Sequence, residues 1–142
     1  QVAGAFARVA AAQGMFDQAL FFASNHARTG PSQWWSEFVA TFGLVGVIIG
    51  CARSRPAFTP FAVAAYITAA YWFTASTSFA NPAVTLARSA SNTFAGIRPV
   101  DAPGFILAQL AGAIVATLVF CWLYPAPPAN TASPTHPNQA ST

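Results

Sequence analysis

Three long apolar runs, 34–52, 58–76 and 103–124, leave this chain few ways to fold. Each has about the 20 residues that a helix needs to cross a bilayer core. Between the last two stands Asn81-Pro82-Ala83, in a stretch too polar to make a fourth span. In water Asn-Pro reads as a turn; among apolar spans it reads as the start of a half-helix, here Val84 to Ala90, aimed at something polar.

Composition sets the medium. Of 142 residues, 55% are hydrophobic and 6% charged, with no Lys. A soluble domain averages about 25% charged residues, so this surface belongs in a bilayer. The net charge of +3 comes from six Arg against Asp17, Glu37 and Asp101, spread along segment ends. A nucleic-acid surface needs those charges clustered on a solvated face, so no nucleic-acid partner is expected. Cys51 and Cys121 are too few and too far apart to frame a disulfide network or a metal site. They read as small apolar side chains, and no metal or cofactor is expected.

The run 34–52 is interrupted by Ser36, Glu37 and Thr41 and ends at Arg53-Ser54-Arg55-Pro56. The run 58–76 tolerates Pro60 in its first turn and gathers Tyr66, Tyr71, Trp72 and Phe73 toward its far end, where aromatic rings favour the membrane interface. The run 103–124 opens on Pro103 and closes on Trp122 and Tyr124. Residues 77–102 therefore read as re-entrant, since irregular backbone at membrane depth survives only when buried in protein or beside a wet cavity. Residues 125–142, with five Pro and little apolar content beyond Ala, read as a disordered tail in which His136 is inert.

The chain opens on Gln1 in mid-pattern, without an initiator Met or a signal-peptide pattern, and reads as a fragment. Residues 1–16 are apolar apart from Arg8 and Gln13, and 17–33 mix aromatics with His26, Arg28 and Gly30-Pro31. Gln1-Val2-Ala3-Gly4-Ala5 echoes Gln109-Leu110-Ala111-Gly112-Ala113, the kind of internal repeat that inverted-repeat channels carry. Asn81 precedes Gln109 by 28 residues, so by that logic a matching Asn-Pro-Ala stands about 28 residues before Gln1.

Asn81-Pro82-Ala83 after an aromatic-rich span, Glu37 early in Glu37-Phe38-Val39-Ala40-Thr41-Phe42-Gly43, and the two Gln-x-x-Gly-Ala segments occur in order. Together they resemble the aquaporin, or major intrinsic protein, family over roughly residues 1–125. The resemblance implies an all-α membrane protein holding the second repeat of that fold: three spanning helices (34–52, 58–76, 103–124) and a re-entrant loop with a half-helix (77–102). Residues 1–16 are then the remnant of the last helix of the first repeat, and 17–33 a connecting loop. The implied activity is passive passage of small neutral solutes across the cell membrane, without catalysis. The implied parent is a homotetramer in contact with membrane lipid. Arg53 and Arg55 fall on the cytoplasmic side by resemblance, because the other Arg balance them.

Asn81 is suited to cap a helix with Pro82 at its first position. The resemblance implies that Asn81 turns its amide donor into the pore, while the half-helix N-terminus adds about half a positive charge. It also implies that Thr77-Ser78-Phe79-Ala80 runs extended, its carbonyls forming a ladder of acceptors. Glu37 is the costliest residue, at about 2.5–3.5 kcal/mol for an unpartnered carboxylate within a span. By resemblance it accepts hydrogen bonds from the re-entrant loop. A proton relay lacks a second intramembrane acid or His in this chain.

Val84 stands where most of the family places Arg, and Arg88, one helical turn on, is no obvious substitute. Counted back from Asn81 as the family does, the other filter positions are Ser78 and Ala69. With Val84 they form a wide, uncharged constriction. Losing Arg removes bulk, donors and a repelling charge together, which favours polyols such as glycerol, arsenous or antimonous acid, and water. The run Thr77 to Val84 resembles channels of bacterial metalloid handling. Two other readings stand beside this one: a truncated half-channel with no activity alone, and a membrane-embedded enzyme pairing Glu37 with His26. The small residues Gly43, Gly46 and Gly50, and Gly104, Ala108 and Gly112, read as close helix packing.

Overall fold

The structure, a computed structural model, describes residues 1–125. The tail expected over 125–142, with His136, lies outside the described residues but for Pro125. Five α-helices follow in order: α1 Val2–Met15, α2 Pro31–Ser54, α3 Thr59–Phe73, α4 Pro82–Arg88 and α5 Ala102–Leu123. A single 3-10 turn, Pro56–Phe58, leads into α3, and no strand occurs among the described residues. The described residues are thus all-α, and α2 and α5 are long and apolar enough to cross a membrane.

Local chemistry sets the helix ends. Gly30, at φ +111°, makes a turn few other residues tolerate, and Pro31 then starts α2 three residues before the apolar run. Arg55 stops it, because the residue before Pro56 is pushed out of the helical region. The span expected to reach Ser76 closes earlier: α3 ends at Phe73, where Thr74 turns extended. Its hydroxyl donates back to the Ala70 carbonyl at 2.7 Å, and the next amide, Ala75 N–H, donates to Ser36 Oγ of α2 at 3.2 Å. At 15 residues α3 is about 22 Å long, shorter than its neighbours.

Helices α2 and α5 form the central pair. Gly112 faces the backbone of α2 so closely that a Cβ there would lie 2.5 Å from the Phe38 carbonyl oxygen. Gly46 takes the Phe120 ring, which also packs on Phe42 at 5.5 Å between centroids. On the other flank, Gly43 leaves room for the Tyr66 hydroxyl of α3 to donate to the Ala40 carbonyl at 3.0 Å. Gly50, by contrast, meets nothing. Where lipid surrounds the helices, such close approach is what holds them together.

The opposite side of α5 is a stripe of exposed apolar residues, Leu107, Leu110, Ile114, Leu118 and Trp122, spaced three or four apart. A stripe that wide has no partner in water and suits acyl chains. Helix α1 docks by Gln13, which donates to the Ala90 carbonyl past the end of α4 and accepts from Phe21 N–H, both at 3.0 Å. The small buried cluster Phe79, Ile97 and Phe105, with Val84 against it, joins the segment before α4, the segment after it and α5.

Replacing Gly112 by Ala should therefore separate α2 from α5. Ala gains up to about 1 kcal/mol of helix propensity, but overpacking against backbone costs about 1–3 kcal/mol. The expected outcome is a lower melting temperature in detergent, while Gly50→Ala melts at or above the wild-type temperature.

Candidate functional site

Asn81 holds an extended conformation (φ −159°, ψ 121°) immediately before Pro82, which occupies the first helical position of α4. Its Oδ1 accepts from Ala83 N–H at 2.8 Å and Val84 N–H at 3.4 Å, so two donors of the first turn are satisfied by one side chain. The cap uses the amide oxygen alone, which leaves the two N–H donors of Nδ2 for another partner. Asn81, Ala83 and Val84 border a cavity of about 200 Å³ beside α1. Val84 also borders a larger cavity of about 420 Å³ between α1 and α4.

The segment before Asn81 is not extended. Thr77, Ser78 and Ala80 all have left-handed backbones, at φ +60°, +45° and +47°. Each such residue costs roughly 1–3 kcal/mol and persists only when its surroundings over-determine it. A row of carbonyls on straight extended backbone is therefore corrected to a curled segment, and the reason lies in what grips it.

The grip is Glu37, fully buried on α2. Its Oε1 accepts from Phe79 N–H at 2.8 Å and its Oε2 from Ala80 N–H at 2.9 Å. Oε2 also accepts from Gln109 Nε2 of α5 at 2.6 Å. The same Gln109 nitrogen donates to Thr85 Oγ1 at 2.9 Å, and Thr85 Oγ1 donates to the Asn81 carbonyl at 3.1 Å. One polar chain, Glu37 to Gln109 to Thr85 to Asn81, thus joins α2, α5 and α4 at the head of the half-helix. With both oxygens so engaged, Glu37 has no contact with His26, which is exposed in the segment between α1 and α2.

A second brace comes from Arg28. Its Nε, Nη1 and Nη2 donate to the carbonyls of Gly96, Ser76 and Phe94 at 2.8, 3.0 and 2.7 Å. Burial lowers its pKa, and three carbonyl acceptors compensate for the lost hydration. Its backbone N–H donates to Asp101 Oδ2 at 2.9 Å, and Asp101 is paired with Arg98 at 2.9 Å. The segment between α1 and α2 is thereby tied to both ends of the loop that carries α4.

The remaining residues of interest lie apart from the cavities. Ala69 is exposed on α3; Phe79 and Ala80 are buried; and the hydroxyls of Thr77 and Ser78 are buried without a partner. Gln109, Thr85 and Arg28 were not singled out by sequence for these contacts. The repeat echo marked Gln109 only as a register point, and a lone Arg in a loop carries no local sign of its carbonyl partners. Among the described residues no group of acidic, His or Cys side chains has the arrangement of a metal site.

Two outcomes follow. Glu37→Gln turns an amide donor toward a backbone N–H, at about 1–3 kcal/mol for each group left unpaired. The variant should melt well below the wild type in detergent. For Asp101, the Arg98 hydrogen bonds hold its carboxyl below the ordinary 3.8, with the Arg28 N–H adding to them against the opposing effect of burial. A carboxyl depressed on folding stabilises fully above its unfolded value and loses that contribution as pH falls through its folded one. Asp101→Asn should therefore melt lower than wild type near neutral pH, and the gap should close below pH 3.8.

Comparison with known proteins places these features. The family model of the Major intrinsic protein matches residues 56–142. The chain is 58% identical over 123 residues to Aquaglyceroporin AqpS of Rhizobium meliloti (strain 1021), an alignment covering 87% of this chain and 53% of that protein. The chain thus spans about half the length of this curated relative. No solved structure matches it. An Asn-capped half-helix gripped by a buried glutamate between two membrane-length helices, together with a family match over more than half of its residues, makes this chain a member of the major intrinsic protein family.

Proposed function

We propose that the chain is the second repeat of a channel that passes small uncharged solutes through the cell membrane, with α2, α3 and α5 as its spans and α1 as the end of the preceding helix. The observation that carries this reading is Asn81: its oxygen caps α4 while its amide donors stay available at a cavity. A passing hydroxyl meets those donors there, and the half-helix dipole, about half a positive charge, disfavours cations.

Neutral Val84, with Ser78 and Ala69 at the other two filter positions of the family, brings no charge and little bulk, which favours a wide, largely apolar constriction in the completed pore. Its solutes are then glycerol-type polyols and the trihydroxides of arsenic and antimony, with water passing as well. A relative named as an aquaglyceroporin supports this choice. The carbonyls of Thr77, Phe79 and Ala80, set by the curled backbone, supply acceptors along the path. Glu37 keeps that backbone in shape, and passage through the channel is passive.

Completion of the pore calls for a second Asn-Pro-Ala half-helix meeting this one at mid-membrane, in a parent that assembles as a homotetramer among membrane lipids. The chain alone is then expected to be inactive. The test is flux in proteoliposomes of the full-length protein that carries this chain, under glycerol, arsenous acid and water gradients. Val84→Arg should cut glycerol and arsenous acid entry by about tenfold or more while water still passes, because a guanidinium adds bulk and charge at one stroke. Vesicles that swell in water but admit neither glycerol nor arsenous acid would show the reading to be wrong.

A further inference from the structure

Val84 leaves the position after Asn81-Pro82-Ala83 uncharged, yet the wall around it carries charge. Arg88 lies one turn farther along α4, so it shares the Val84 face, and helical side chains lean back toward the N-terminus. Its Cζ sits over the Phe79 ring, 4.3 Å from the centroid. A guanidinium on an aromatic face is attracted by the ring quadrupole and held flat. Its Nη1 is buried and has no hydrogen-bond partner. Arg88 and Val84 border the same cavity of about 420 Å³, and no Asp or Glu among the described residues borders it.

The neighbouring charges sort into pairs. Arg28 also reaches the Phe79 ring, 5.3 Å from the centroid, but its guanidinium is spent on three carbonyls. Glu37, bonded to the Phe79 N–H, acts on both guanidiniums, one negative charge against two positive. Asp101 is paired with Arg98. What remains unmatched at the cavity beside α4 is Arg88, with exposed Arg8 of α1 reinforcing its sign from the facing wall.

We propose that Arg88, held on Phe79, is the residue that excludes cations from this passage: it supplies repulsion from the wall while Val84 keeps the constriction open. Charge and width, which one Arg after Asn-Pro-Ala would couple, are separated onto two residues a turn apart. This rests on the channel reading above. At an effective dielectric of about 20, a unit charge roughly 10 Å from a solute path changes cation flux by about tenfold.

The test measures proton and sodium entry into proteoliposomes of the full-length protein, with glycerol influx on the same vesicles reporting that each variant is folded and inserted. Arg88→Gln should leak protons or sodium about tenfold faster than wild type. Arg88→Lys, which keeps the charge and loses the planar stack, should stay tight. If Arg88→Gln passes no glycerol, Arg88→Met, which keeps an apolar stem on Phe79, takes its place. Glycerol-permeable Arg88→Gln or Arg88→Met vesicles as cation-tight as wild type overturn the proposal, and so does a leaky Arg88→Lys. Wild-type vesicles that pass no neutral solute overturn the channel reading itself, and this proposal with it.

Discussion

The Glu37 carboxylate, buried among helices and accepting two successive backbone N–H groups, is the interaction on which the rest of this structure depends. A carboxylate in an apolar interior is tolerated only when donors replace the water it has lost. Here the donors are Phe79 N–H, Ala80 N–H and the Gln109 amide, each charge-assisted. The cost of burying the charge and the strain of three left-handed residues at 77, 78 and 80 are thereby offset in one place. Without the carboxylate, the Phe79 and Ala80 amides would lose their acceptor, and the curl would relax.

The same contact decides where the half-helix sits. Gln109 holds Glu37 with one N–H and Thr85 with the other, and Thr85 holds the carbonyl of Asn81. Asn81 is therefore positioned from three helices, although its own cap is purely local. Such a connected polar chain is stiffer than its separate bonds, because displacing any member leaves another unsatisfied in a low dielectric; within it, Gln109 Oε1 alone is buried without a partner. The close approach of α2 and α5 at Gly112 makes the chain possible, since a bulkier residue there would hold Gln109 away from Glu37.

Membership of the major intrinsic protein family and the substitution at Val84 pull the site in two directions. The family frame supplies a rigid, hydrogen-bonded loop and a helix end directed at a cavity. Val84 leaves the position next to the cap uncharged. The two arginines over the Phe79 ring show that positive charge stays in the neighbourhood, carried by Arg28 from the segment before α2 and by Arg88 from α4 itself.

Features that depend on near neighbours were legible in the sequence alone. The apolar runs pointed to an all-α membrane chain because about 20 predominantly apolar residues have few other fates. Asn81 before Pro82 marked a helix start because a cap acts over two or three residues. The end of α3 at Phe73 was not legible, since it turns on a hydroxyl of its own chain and a Ser36 acceptor 39 residues away. Nor was the curl of Thr77 to Ala80, because left-handed φ at Thr, Ser and Ala is disfavoured locally and is imposed by Glu37 from 42 residues away. The bond of Gln109 to Glu37 and those of Arg28 to its carbonyls likewise cross 72 and 48 to 68 residues. What the sequence determined was the set of helices and the capped half-helix, both products of short-range periodicity and local hydrogen bonding. What only the tertiary structure decided was which buried donors meet which acceptors, because satisfying a polar group without water depends on three-dimensional proximity that no local pattern encodes.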